Sequence, residues 1–98
     1  MNSYTEEIIK SLRDDKNFLA DRFGVKSIGI FGSCAAGNLN KESDLDFLVE
    51  LKAPRFDWLA GLQIYLEEKF GRKIDLIRKS SRLRNSFIEH IEKDVIYV

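Results

Sequence analysis

Two aspartates, Asp44 and Asp46, stand two residues apart in a stretch that alternates apolar and polar side chains. A third, Asp75, sits between Ile74 and Leu76 in a later apolar run. In an extended strand, positions two apart project from the same face, roughly 7 Å apart at the backbone. The Asp44 and Asp46 side chains can therefore converge on a shared cation, and Asp75 joins them if its own strand is a neighbour. Carboxylates gathered on one sheet face repel each other and are costly to desolvate. A hard divalent cation relieves that cost, and magnesium is the usual one where phosphates complete the shell. Two such ions stabilise both the attacking and the leaving oxygen of an in-line displacement at phosphorus. Taken alone, an Asp-x-Asp pair in a strand is more often a solvent-facing pair, and Asp75 alone is weaker still. Their weight comes from what precedes them.

Gly32-Ser33 follows directly on the run Val25-Lys26-Ser27-Ile28-Gly29-Ile30-Phe31. Glycine lets backbone approach a phosphate closely. Ser33 offers a hydroxyl, and the amides after it can open a short helix, which suits an anion. Gly37 allows a second sharp turn. The chain contains neither GxxxxGK(S/T) nor GxGxxG, so the phosphate-binding P-loop and the dinucleotide-binding turn are both missing.

These residues need elements to hold them. Ser3 and Glu6 form a capping-box pattern, and Ile8, Leu12, Leu19 and Phe23 recur at helical spacing before Gly24. This predicts a first helix from about Tyr4 to Phe23. Val25 to Phe31 is short, partly β-branched and bounded by glycines, which predicts a strand. Gly32 to Ser43 is turn-rich, with room for one helical turn after Gly32. From Asp44 to Leu51 the alternation predicts a strand with Leu45, Phe47, Val49 and Leu51 on a core face. Asp44, Asp46, Leu48 and Glu50 lie on the other. Pro54 precedes a helical stripe of Leu59, Leu62, Leu66 and Phe70 closed by Gly71. Lys73 to Ile77 reads as a third strand. Leu83, Phe87 and Ile91 suggest a last helix before the apolar tail Val95 to Val98. The fold class is α/β (α+β): a short mixed sheet flanked by helices. The connection between the first two strands is too short for a crossover helix, so that pair is expected to be antiparallel.

Composition sets the frame. A chain of 98 residues suits a single domain, here taken as residues 1–98, with one modest core. Charged residues at 33% and hydrophobic residues at 44% read as an ordinary soluble globular protein. Lys plus Arg and Asp plus Glu are both 16, so there is no overall basic excess to drive sequence-blind nucleic-acid binding. The lone Cys34 excludes an intrachain disulfide and fits a cytoplasmic location. No run approaches the ~20 apolar residues that span a bilayer, and the start MNSYTEEIIK lacks the layout of a signal peptide.

Gly32-Ser33, then Asp44-Leu45-Asp46, with a third Asp in a later strand, resembles the signature of the polymerase-beta-like nucleotidyltransferase superfamily. More narrowly, the chain resembles the minimal nucleotidyltransferases over nearly its whole length. The resemblance implies that Gly32 and Ser33 hold the triphosphate and that Asp44 and Asp46 ligate two magnesium ions. It implies that Asp75 ligates the catalytic metal and helps activate the attacking hydroxyl. The reaction implied is transfer of AMP from ATP to a hydroxyl, with pyrophosphate leaving. Minimal nucleotidyltransferases also resemble one half of a pair with a helical HEPN-domain ribonuclease toxin. In that pairing they act as the antitoxin, transferring AMP to a toxin tyrosine, and the resemblance implies a hetero-oligomer of the two. Two other functions stay open: an antitoxin that works by occlusion alone, and nucleotidyl transfer to an RNA end or a small molecule. One position departs from the pattern. Family members often carry Arg before the second glycine, where this chain has Ala36. Either some charge support to the phosphates is then lost, or Lys41, Lys52 or a partner supplies it.

The remaining chemical residues are weighed more plainly. Cys34 is expected to be a small filler. Arg84 and His90 loosely match the spacing of the HEPN ribonuclease motif, but a surface histidine near a helix end is the better reading. Phe56, Trp58 and Tyr65 are expected in core or partner contacts. Arg78, Lys79, Arg82 and Arg84 form a basic cluster, either solvated or facing a nucleic acid or an acidic partner, and nothing in the sequence decides between them.

Overall fold

The computed structural model of the chain describes residues 3–36, 44–79 and 86–98. Its elements run α1 (Ser3–Asp14), α2 (Lys16–Phe23), β1 (Val25–Phe31), α3 (Gly32–Ala36), β2 (Leu45–Leu51), α4 (Phe56–Phe70), β3 (Ile74–Arg78), α5 (Ser86–Glu92) and β4 (Ile96–Tyr97). Both glycines expected to stop helices do so in the left-handed region, Gly24 after α2 and Gly71 after α4, each at φ 62°. The short helical turn expected after Gly32 is α3. Asp44 stands just before β2 rather than inside it, and β3 begins at Ile74 rather than Lys73. Pro54 lies two residues ahead of α4.

The four strands are ordered β3-β2-β1-β4. β1 pairs antiparallel with β2, as expected from the short connection, and β4 pairs antiparallel with β1. β2 and β3 are parallel, which requires a crossover, and α4 supplies it. The sheet is therefore mixed. Alternation along β2 divides its two faces. Leu45, Phe47, Val49 and Leu51 join Ile28, Ile30, Leu62 and Leu66 in the main core beneath the helices α1, α2 and α4. Leu48 points the other way and packs with Ile88 and Ile91 of α5. Burying each such aliphatic side chain contributes about 1.5–3 kcal/mol. The main core thus fixes which face carries Asp46: the one opposite α4.

The first helix is not continuous. It breaks at Asp15, whose φ −92° and ψ 2° lie outside the helical region. The reason lies on α4. Asp15 accepts a hydrogen bond from the Tyr65 hydroxyl (2.5 Å) and an ion pair from the Lys69 ammonium (2.8 Å). This tie turns α2 onto α4, where Phe18, Phe23 and Tyr65 form an aromatic cluster with centroids 5.1–6.1 Å apart. Gly61 leaves room for the Phe23 ring against the α4 backbone. Burial, then the bond to Asp15, pushes the Tyr65 hydroxyl up to about 12, so it remains a donor at ordinary pH. The side chains of Ser3 and Phe87, and all of Leu83, fall outside the described residues, and with them the capping box.

The Lys69 and then the Tyr65 hydrogen bonds hold the Asp15 carboxyl below the usual carboxylate range. Its contribution to stability is therefore present above that range and lost as pH falls through the lowered value. Asp15→Asn is expected to cost about 1–2 kcal/mol at pH 7, measured by urea denaturation. The gap to the unsubstituted chain should close below about pH 4.

Candidate active site

Strand register brings three of the predicted residues, Gly32, Asp46 and Asp75, together. In β1–β2 pairing Phe31 faces Asp46, and in β2–β3 pairing Asp46 faces Asp75. The end of β1 and the starts of β2 and β3 thus lie in one row at one edge of the sheet. Neighbouring strands are about 4.8 Å apart, which puts the Asp46 and Asp75 carboxyls within hydrogen-bond reach of each other. Gly32, directly after Phe31, adopts φ 66° and approaches Asp46 so closely that a Cβ there would collide with the carboxylate. A glycine is needed at this position twice over, for its backbone angle and for the space.

The electrostatics follow from the row. Burial raises the Asp46 carboxyl to about 6, and the negative charges of Asp75 and Asp44 reinforce the shift. None of the three carboxylates takes part in an ion pair among the described residues. A group that is half-buried, crowded by like charge and without a counter-ion fits a divalent cation. Among the described residues, no three His, Cys, Asp or Glu side chains are gathered as a ready-made metal cage. Asp46 and Asp75 form the close pair, and Asp44, exposed before β2, stands at its margin. That arrangement suits an ion bound by one or two carboxylates and completed by phosphate oxygens and water, as magnesium usually is.

Other residues hold the row in place. The Gln63 side-chain amide donates to the Ile74 carbonyl (2.5 Å), and the Leu45 N–H donates to the Lys73 carbonyl (3.1 Å). Both bonds fix the start of β3 beside β2. Gln63 was missed in the sequence, although a polar residue next to Leu62 on the inward side of a helix is a readable signal. Lys52 cannot support phosphates here. It follows the far end of β2, about 20 Å from Asp46. Lys41, Gly37, Arg82 and Arg84 lie outside the described residues, as do the side chains of Ser33 and Cys34. Ala36 ends α3 and is exposed. His90 is exposed in the last turn of α5, as expected. Lys79 is bound to Glu92 (2.9 Å), so this part of the basic cluster ties α5 to the sheet. Trp58 packs on Gly24 beneath the Arg55 guanidinium, and Phe56 is exposed.

Residues 12–98 match the family described as nucleotidyltransferase domain. The chain belongs to that family. This nucleotidyltransferase is 44% identical over 96 residues to a Methanocaldococcus jannaschii protein provisionally named a protein adenylyltransferase, covering 94% of this chain and 95% of that one. It is 38% identical over 94 residues to the protein adenylyltransferase MntA of Thermococcus cleftensis, covering 95% and 94%. A crystal structure described as a toxin–antitoxin with AMP-PNP contains a chain of the same fold, with a TM-score of 0.64. Identity there is 21%, covering 95% of this chain and 70% of that one. The α/β fold with its short mixed sheet, expected from the resemblance, is the fold observed. The enzyme is a nucleotidyltransferase. No helix among the described residues is long and apolar enough to cross a membrane.

Gly32→Ala should destabilise the chain by about 1–3 kcal/mol, since it combines left-handed strain with a collision at Asp46. Chemical denaturation measures the loss. The raised Asp46 carboxyl has the opposite sign from Asp15. The folded chain holds this proton more tightly than the unfolded one, so stability falls as pH rises between about 4 and 6. Asp46→Asn removes that loss. In chelator at pH 7 it should stabilise the chain by on the order of 1 kcal/mol after allowance for solvent screening. Thermal melts should show the gain vanishing towards pH 4.

Proposed function

We propose that this nucleotidyltransferase transfers AMP from ATP to a tyrosine hydroxyl of a partner HEPN-domain ribonuclease toxin, and so acts as its antitoxin. The single observation that carries the chemistry is the row of Gly32, Asp46 and Asp75 at one sheet edge, with Asp44 at its margin. Two further facts support the biology: the adenylyltransferase names of relatives spanning nearly the whole chain, and the fold shared with a toxin–antitoxin structure holding an ATP analogue.

The residues act as follows. Gly32 and Ser33 cradle the triphosphate, with Gly32 leaving the backbone uncovered where phosphate approaches. Asp44 and Asp46 would hold two magnesium ions, and Asp75 would share the catalytic one. When bound, magnesium neutralises charge on the phosphates and stabilises the oxygens that gain charge during displacement. Asp75 also orients the acceptor hydroxyl and draws its proton. The hydroxyl oxygen bonds to the α-phosphorus, the bond from that phosphorus to the bridging oxygen breaks, and pyrophosphate leaves. Positioning and electrostatics supply most of the acceleration. α5 packs on the carboxylate face against Leu48, and the acceptor hydroxyl comes from a partner in a hetero-oligomer.

Ala36 favours a second reading. Without the family's usual Arg at that position, phosphate support is thinner, and a binding antitoxin that works by occlusion becomes the rival. Intact-mass measurement of the neighbouring-gene toxin after incubation with this chain, ATP and magnesium separates the two. The expected result is a gain of whole AMP units. That gain should disappear with EDTA, and should drop by at least about 1000-fold in rate for Asp44→Asn with Asp46→Asn. Full silencing of the toxin by that double variant, without mass gain in any sample, would establish occlusion instead.

A further inference from the structure

Helix α4 buries one side and leaves the other bare. Leu62 and Leu66 are buried in the main core against the sheet. On the opposite side, Phe56 and Ile64 are 81% and 58% exposed. With Ala60 between them they recur every fourth residue, which lines them up as one stripe about 12 Å long. Isolated exposed hydrophobic residues are ordinary. A small residue between two bulky ones on one helix face is different: it is the pattern into which a side chain of a second helix fits. One further step of four leads to Glu68, with Glu67 beside it. Neither glutamate makes an ion pair among the described residues. Lys69, the only cation of α4, is committed to Asp15 on the side that meets α2. Arg55, just ahead of the helix, is held by Asp57 at 2.6 Å and lies over the Trp58 ring.

We infer that this face of α4 docks an amphipathic helix of a partner protein, one whose apolar stripe is flanked by lysine or arginine. Burial of Phe56 and Ile64 supplies the affinity. Charge selects the partner, because cations on the incoming helix meet Glu67 and Glu68, the two carboxylates that no cation of this chain takes up among the described residues. A second copy of the chain fits less well. Two α4 faces apposed in parallel bring the glutamates against each other, and two apposed antiparallel bring them towards Asp57. A nucleic acid is excluded by the sign of the charge, since its phosphates would meet the same glutamates. The face lies across the main core from the side of the sheet that carries Asp46. A partner seated there leaves the row of Gly32, Asp46 and Asp75 open. The inference rests on the proposed function only for the existence of a protein partner, and stands whether or not AMP is transferred.

The test uses a fluorescein-labelled helical peptide of roughly 20 residues, long enough to form the helix unaided. It carries leucines every third or fourth residue on one face and lysines on either side of them. A matching peptide with glutamates for the lysines serves as control, and both are titrated against the whole chain by anisotropy. The leucine–lysine peptide should bind, with backbone amide shifts concentrated from Phe56 to Glu68. Phe56→Ser with Ile64→Ser should weaken it at least about tenfold. Glu67→Lys with Glu68→Lys should reverse the preference in favour of the leucine–glutamate peptide. Both pairs of substitutions leave Asp44, Asp46 and Asp75 in place, so they separate docking on α4 from attraction of lysines to the carboxylate row. Phe56, Ile64 and Glu68 are exposed, and circular dichroism should show an unchanged fold. The inference is overturned by no peptide binding, by equal binding of both peptides to the unsubstituted chain, or by affinity unmoved in either double variant. It is also overturned by dimers of the chain alone that Phe56→Ser with Ile64→Ser dissolves, since a second copy would then be the occupant.

Discussion

Asp46 and Asp75 face each other across a single strand spacing, with no ion-paired cation among the described residues. Every nearby feature bears on that contact. The parallel β2–β3 register sets it, the α4 crossover makes the register possible, and Gln63 clamps the start of β3 where Asp75 begins. Gly32 then closes the row from the other side with no side chain at all. The fold thus holds two like charges together at its own expense, and the cost falls on the metal-free state. Such stored electrostatic strain is expected where a site is built to receive a cation and phosphate rather than to be stable alone.

The two faces of the sheet divide labour. The face under α1, α2 and α4 holds most of the buried aliphatic side chains and almost all of the packing. The opposite face carries a small cluster around Leu48, Ile88 and Ile91, and beyond it the carboxylates. Stability is therefore drawn from one set of side chains of β2, and the chemistry proposed for Asp46 from the other. Leu45 and Phe47 can be optimised for packing without moving the direction in which Asp46 points.

Much of this was legible in the sequence because strand alternation is a local code. The period of two from Asp44 to Leu51 separated core from site residues before any partner strand was known, and Gly24 and Gly71 marked helix ends by their chemistry. Asp75 was different. Its spacing marked it as a strand residue, but its union with Asp46 depends on a parallel pairing that no local pattern encodes. The break at Asp15 was hidden for a related reason. Ile8, Leu12, Leu19 and Phe23 fit one continuous helix, and the bend is imposed by Tyr65 and Lys69 from far along the chain. The support expected of Lys52 failed on simple length, since a strand of that extent carries it to the wrong end of the sheet.

The order in which the site can assemble follows from its topology. β1 and β2 pair across a short stretch of chain, so Gly32 and Asp46 meet through nearly local contacts. Asp75 arrives only after α4 has crossed the sheet and packed, because a parallel pair cannot form without its crossover. Contacts of longer sequence separation generally form later and more slowly. A nascent or partly unfolded copy therefore holds Asp44 and Asp46 without Asp75. On the proposed mechanism, competence for nucleotidyl transfer becomes a property of the finished fold alone.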